Sequence, residues 1–183
     1  MAIIRSYIAA SLDGFIADRN GGIDWLTPFA ELELGYADFI AGIGATVMGR
    51  RTYEQIMSFG GPWPYARQTS LVVTGRALGD APQSVQAWHK GIAALAAHLR
   101  AEEGPDVWVV GGAMLQSALL DRRALDRLEL FVMPVLLGSG VPLFRRLVNQ
   151  PAISLQSAQG LAGGVVKLDY HFGPPPGSGK ESP

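Results

Sequence analysis

Gly49, Arg50, Arg51 and Thr52 stand in a row within VMGRRTYEQI, just past a short apolar run. These residue types suit an anion. A glycine lets backbone approach a ligand closely, and a helix opening here offers unpaired N–H groups and a partial positive charge. The two guanidinium groups add full charges and Thr52 adds a hydroxyl donor. On this stretch alone, a strand–helix junction with two solvated arginines fits as well. VWVVGGAMLQ repeats the arrangement without charges: an apolar run reaches Gly111 and Gly112, where a pyrophosphate can sit on bare backbone. It lacks the third glycine and later acid of a full dinucleotide fingerprint, and a tight turn is the plainer reading. LVVTGR is the third case, with Thr74, Gly75 and Arg76 past an apolar run.

Such residues act together only if strands bring them to one edge of a sheet. In open α/β sheets, ligands gather at the carboxyl ends of the strands. Three strand ends bearing Gly, Thr and Arg therefore describe a dinucleotide lying across a sheet. Arg50 or Arg51 with Thr74 and Arg76 suits an extra 2′-phosphate, which favours NADPH over NADH.

The patterning supplies such a sheet. Residues 2–10 read as a strand halted by Asp13-Gly14, and ATVM, SLVVT, SVQAW and DVWVV as further short strands. Leu32, Tyr36, Phe39 and Ile40 recur at one face of a helix; residues 51–58, the segment Ile92–Leu99 and the stretch after Gly112 through Leu120 read as others. RLELFVMPVLL is a long strand in which Pro134 marks an edge, a bulge or a kink. AISLQSA and GVVKLDYHF form a closing antiparallel pair. The expectation is one α/β domain over 1–173, with a mixed, mostly parallel sheet of about eight strands, helices on both faces and a C-terminal hairpin. The Pro/Gly/Ser-rich stretch 174–183 reads as a disordered tail.

Composition narrows the function. Of 183 residues, 48% are hydrophobic and 17% charged, a globular balance, and the formal net charge of −1 argues against a nucleic-acid binder. With no cysteine there is no disulfide, thiolate zinc site or cysteine nucleophile. His89, His98 and His171 show no metal spacing. No secretory pattern opens the chain and no apolar run is long enough to span a bilayer, so a soluble, cytoplasmic protein without membrane partners is expected.

Taken in order, VMGRRTYEQI, LVVTGR and VWVVGGAMLQSALL resemble the cofactor segments of dihydrofolate reductases. SYIAASLDGFIA, GIDW and LFVMPVLLGSGVPLF are more similar to the reductase domain of riboflavin biosynthesis, the RibD C-terminal type. The resemblance runs from about residue 2 to 172 and implies a dihydrofolate-reductase-like fold and an NADPH-dependent reductase. It places Gly49, Arg50, Arg51, Thr52, Thr74, Gly75, Arg76, Gly111, Gly112, Ala113, Met114 and Leu115 around the cofactor, with the nicotinamide near Ala9, Ala10 and the Gly111-Gly112 turn.

Hydride transfer also needs a proton at the atom left negative. Dihydrofolate reductases carry an acid early in the first helix; that position falls near Ala30, with Glu31 beside it. Asp13 in SLDG, shared with the riboflavin type, is the other candidate, and an Asp-Gly turn bonding its own backbone is its alternative. Ser11 and Trp25 are expected on the substrate side. The implied reaction is hydride transfer to a small heterocyclic or carbonyl substrate, nearest to a 5-amino-6-(5-phosphoribosylamino)uracil reductase. Dihydrofolate reduction is one rival. A non-catalytic NADPH-binding module is the other, dimerising through LELFVMPVLL, and the resemblance implies a homodimer.

Overall fold

The computed structural model describes residues 1–173, so the expected tail at 174–183 lies outside the described residues. The chain opens with β1 (Ile4–Ser11) and a short β2 (Phe15–Ala17), followed by a 3-10 turn at Asp24–Phe29 and α1 (Tyr36–Ala41). Then come β3 (Ile43–Gly49), α2 (Arg50–Ser58), β4 (Thr69–Val73), β5 (Val85–Trp88), α3 (Gly91–Ala101), β6 (Asp106–Gly111) and α4 (Ala113–Leu120). β7 (Arg127–Met133), β8 (Val141–Pro142), β9 (Ile153–Gly160) and β10 (Val166–Phe172) complete it. Eight strands form one sheet in the order β5-β4-β3-β6-β1-β7-β10-β9. The strands from β5 to β7 in that order run parallel, and β10 is antiparallel to both β7 and β9. β2 and β8 make a separate antiparallel pair. The expected mixed, mostly parallel sheet of about eight strands with a C-terminal hairpin is the observed one.

Parallel strands are buried on both faces, so their sequences run apolar instead of alternating. Ile4, Val47, Val107 and Val109 face α3 and α4 and join Leu95, Leu99, Leu115 and Leu119 in one core. Met48, Val72 and Trp108 face the other way and meet Phe39, Tyr53 and Tyr65. A third cluster packs Phe131, Met133 and Val165 under Trp25, Phe29 and Leu32.

Two expectations change. Leu32 lies outside α1 and packs from an irregular segment, because the left-handed Gly35 breaks the helical run ahead of Tyr36. β7 ends at Met133, and Pro134 stands just beyond it, since proline has no N–H for the ladder. β7 is not an edge: it pairs with β1 on one side and β10 on the other.

One face of the sheet carries buried charges. Glu129 on β7, 4% exposed, accepts from Arg5 Nε at 3.1 Å and Lys167 Nζ at 3.0 Å. Arg5 also reaches Asp106 at 2.8 Å, and Arg127 Nε donates to Asp169 at 2.8 Å. Removing one member strands its partners away from water, which costs more than the pairing itself provides. Glu129→Ala is expected to lower stability by about 3 kcal/mol. In urea unfolding this reads as a lower midpoint at an unchanged slope.

Candidate functional site

The candidate site is a rim at the carboxyl ends of β5, β4, β3, β6 and β1. β3 pairs with β4 so that Gly49 lies opposite Val73, and with β6 so that Met48 lies opposite Gly111. The parallel register therefore ends the strands together, and each hands over at the same edge. Gly49 and Gly112 are the extended N-caps of α2 and α4, and neither helix start has a side-chain cap. The leading N–H groups of a helix lack the acceptors that its interior supplies, although at α4 the Gly112 carbonyl already takes Leu115 N–H and Gln116 N–H at 3.0 and 3.1 Å. The two turns abut: a Cβ on Gly49 would stand 3.9 Å from Gly111 O and Gly112 N, and one on Gly112 would stand 3.5 Å from Thr52 Oγ1. These missing side chains leave a backbone-lined cradle, which suits a pyrophosphate. Gly111 has φ of 133°, a conformation L side chains rarely adopt.

Beside the cradle, Thr74 is a hub. It is 9% exposed, and its Oγ1 accepts from Arg50 Nη1 at 3.2 Å and from Arg76 N at 3.1 Å. Arg50 Nη1 donates further to Arg76 O and Ala77 O at 3.3 and 3.0 Å, and Arg50 Nε meets Glu54 at 2.6 Å. Arg50 is thus occupied in tying α2 to the turn after β4. The side chains of Arg51 and Arg76 are exposed and make no side-chain hydrogen bond or ion pair among the described residues. Gly75 is exposed between them and would clash with nothing if it carried a Cβ. On α4, Met114 is 73% exposed on the rim, whereas Ala113 and Leu115 point into the core at 3% and 5%.

His89 joins this group, unforeseen from the sequence. It follows β5 directly, and its Nδ1 lies 2.8 Å from Thr74 O. The available signal is AWHKG, another apolar strand that ends in polar residues and a glycine before a helix.

The other end of the rim is built differently. Ala10 is buried at 2% in β1. Ser11, expected to meet substrate, is equally buried; its Oγ donates to Asp13 at 2.6 Å and accepts from Phe15 N at 3.0 Å. Its one proton and one of its lone pairs serve the turn. Asp13 accepts from Ser11 and from the backbone N–H groups of Leu137 (3.1 Å) and Gly138 (2.7 Å). The Ser11 hydroxyl, with those N–H groups, holds the carboxyl below the usual carboxylate range. Asp13 is therefore ionised at neutral pH. It clamps the turn after β1 to the loop after β7, a geometry that suits it for holding chain and not for giving up a proton. Glu31 sits exposed on the turn after Asp24–Phe29, without a hydrogen-bond or ion-pair partner among the described residues. The segment there is 3-10, so the helix expected to aim an acid inward is missing. Trp25 is half-buried in the cluster over Phe131 and Met133, and its indole N–H has no partner among the described residues. Tyr7 donates to Leu34 O at 2.9 Å; burial, with Glu129 nearby, pushes its phenol up, so it stays protonated. Gln55 on α2 donates to Gly21 O at 2.8 Å, which strings the loop after β2 across to the helix of the cradle.

A depression of about 370 Å³ lies at the opposite, amino-terminal ends of β3 and β4, lined by residues such as Gly44, Thr69, Gln86 and Glu102. It holds neither a glycine turn nor an unpaired arginine, so the rim is the better candidate.

Known proteins share this architecture. A protein named for riboflavin biosynthesis from Shewanella sp. PV-4 superposes with a TM-score of 0.82 at 26% identity, covering 95% of this chain and 100% of its own. Dihydrofolate reductase from Enterococcus faecalis, complexed with NADP(H), superposes at 0.62 and 18% identity over 93% of this chain and 96% of its own, a likeness of fold. In sequence, the uncharacterized protein YwjB of Bacillus subtilis is 38% identical across 90% of this chain and 94% of its length. Dihydrofolate reductase HdrB of Haloferax volcanii is 33% identical over 64% of this chain and 59% of its own. The description of the RibD C-terminal domain matches residues 2–167, and with the shared architecture this places the chain in the RibD C-terminal domain family.

Proposed function

We propose that this protein is an NADPH-dependent reductase that delivers hydride to a small heterocyclic or carbonyl substrate. The observation that carries the reading is the meeting of Gly49, Thr52, Gly111 and Gly112 in one cradle, with Thr74, Arg50 and Arg76 beside it. NADPH, when bound, supplies the hydride. Gly49, Gly111 and Gly112 would hold its pyrophosphate on backbone, Arg76 and Arg51 its 2′-phosphate, and the exposed Met114, with the backbone of Ala10 and Ala113, would back the dinucleotide, while Leu115 supports α4 from the core. The reaction nearest in type is the pyrimidine reduction of riboflavin biosynthesis, which the Shewanella neighbour supports. Dihydrofolate reduction is the second reading, supported by HdrB, and the exposed position of Glu31 speaks against it. Loss of the nicotinamide absorbance band with a panel of phosphoribosylaminopyrimidines, pterins and dihydrofolate tests the reading. Turnover is expected with a pyrimidine or related ring and not with dihydrofolate. No NADPH binding at all refutes the reading, and binding without turnover favours a non-catalytic module.

The arginines divide the work. Arg76→Ala is expected to weaken NADPH about tenfold, the worth of one charge-assisted hydrogen bond, and to leave NADH nearly unchanged. Arg50→Ala removes the tie between α2 and the Thr74 turn and should weaken both dinucleotides. Titration of both dinucleotides separates these outcomes, and equal losses in Arg76→Ala would overturn the 2′-phosphate assignment.

A homodimer belongs to the same proposal, with a change of surface. The interior β7 has no free edge, but among the described residues β9 has one, and ISLQSAQG carries no charge or proline to discourage pairing. Ile153 and Leu155 on it are 52% and 53% exposed. Light scattering should show a dimer that Leu155→Asp converts to a monomer.

A further inference from the structure

The loop after β2 carries the dipeptide Asn20-Gly21 and is built around Asp18. Asp18 Oδ1 accepts from the backbone N–H groups of Asn20 and Gly22 at 2.7 and 2.8 Å, and Asp18 N–H reaches Gly22 O at 3.0 Å. A Cβ on Gly22 would stand 2.7 Å from Asp18 Oδ2, so glycine lets the chain wrap the carboxylate this closely. The side chain of Asn20 takes no part. It is exposed, and its amide has no hydrogen-bond partner among the described residues. Gly21 has φ of 86°, and nothing lies within 4 Å of where its Cβ would be. Its N–H donates to Asp18 O at 3.1 Å, and its carbonyl accepts from Gln55 Nε2 on α2 at 2.8 Å.

An exposed asparagine followed by glycine can react with its own main chain, the source of its thermal lability. The Gly21 nitrogen, on losing its proton to solvent base, attacks Asn20 Cγ. A bond forms between them and closes a cyclic imide, while the Cγ–Nδ2 bond breaks and ammonia leaves. Water then opens the imide. Cleavage at Cγ gives aspartate; cleavage at the main-chain carbonyl gives isoaspartate, whose main chain runs through Cβ and Cγ. Water enters and ammonia departs, so no oxidant or further reactant is required. Similar stretches elsewhere are protected. Asn149, the only other asparagine, precedes Gln150 and donates from Nδ2 to Asp121 O at 3.2 Å. Asp13, which precedes Gly14, holds three donors on its carboxylate.

We propose that Asn20 is a self-modification site, where conversion to isoaspartate unties the loop after β2 from α2. Isoaspartate adds a carbon to the main chain just ahead of Gly21 and so displaces the carbonyl that Gln55 holds. The tie in turn guards the site. While Asp18 O takes the Gly21 proton and Gln55 takes the Gly21 carbonyl, the nitrogen is held from attack, and reaction waits on local opening of the loop. The site needs no ligand and stands apart from the reductase reading.

The test ages the full folded chain in mildly alkaline and mildly acidic buffer and maps its peptides by mass spectrometry. Asn20 should gain the mass of an acid in place of an amide, faster in the alkaline buffer, with isoaspartate among the products and Asn149 unchanged. Gln55→Ala should convert about fivefold faster, the worth of one neutral hydrogen bond. In the converted chain, hydrogen exchange across residues 18–24 should quicken while β3 and β6 keep their protection. Freshly prepared Asn20→Asp, which has the charge without the added carbon, should exchange like the wild type. An amide that persists at Asn20 in the folded chain would overturn the site. Equal rates in Gln55→Ala and the wild type would overturn the guarding role. Unchanged exchange after conversion, or exchange equally fast in fresh Asn20→Asp, would overturn the untying by isoaspartate.

Discussion

The register between β3 and β6 is the constraint on which the site depends. These strands are distant in sequence, yet their parallel pairing ends Gly49 and Gly111 side by side. The pairing shifts between Val47 and Met48, and that irregularity aligns Met48 with Gly111. A slip of one residue would turn Val47 and Met48 toward the wrong cores. It would also bring a side chain, in place of a glycine, to the meeting of the two turns. Val47 and Met48, both without solvent exposure, pack on opposite faces and hold this register. Thus two hydrophobic cores, neither of which touches a ligand, set the distance between two backbone turns that would.

Given that alignment, charge is distributed by role. Arg50 looks in sequence like a phosphate ligand, but four protein acceptors engage it. Its charge-assisted bonds hold the turn after β4 against α2. Arg76, whose backbone is bound to Thr74, keeps its guanidinium in solvent. A pinned cation gives shape and a free one gives affinity, and adjacent arginines of one motif need not serve alike.

Much of this was legible in the sequence. The order of strands and helices followed from apolar runs punctuated by Gly and Pro, and the three glycine-bearing strand ends do share a rim. What stayed hidden depended on long-range partners. Asp13-Gly14 reads as a local turn, but of the three groups that bond the Asp13 carboxylate two, Leu137 N–H and Gly138 N–H, lie more than a hundred residues away. Ser11 reads as a free hydroxyl and is consumed by its neighbours. Leu32 fits a helical period that Gly35 interrupts. His89 is a lone histidine without metal spacing, and nothing in its own residue type marks its place at a strand end beside Thr74. Sequence period reports which face a residue occupies; it does not report which donors and acceptors are already paired.

The sheet also resolves how a chain of nearly neutral charge can present a cationic edge. On its β1-β7-β10 half the cations are neutralised at short range: Arg5 by Asp106 and Glu129, Lys167 by Glu129, Arg127 by Asp169. These pairs are partly or wholly buried, where unpaired charge is most costly. On the β5-β4-β3 half Arg50 is matched by the half-exposed Glu54, while the exposed side chains of Arg51 and Arg76 make no ion pair among the described residues. The overall balance of charge therefore says little about any one surface. A polyanion such as nucleic acid would meet a narrow row of cations; a single dinucleotide needs no more than that row and the glycine cradle beside it.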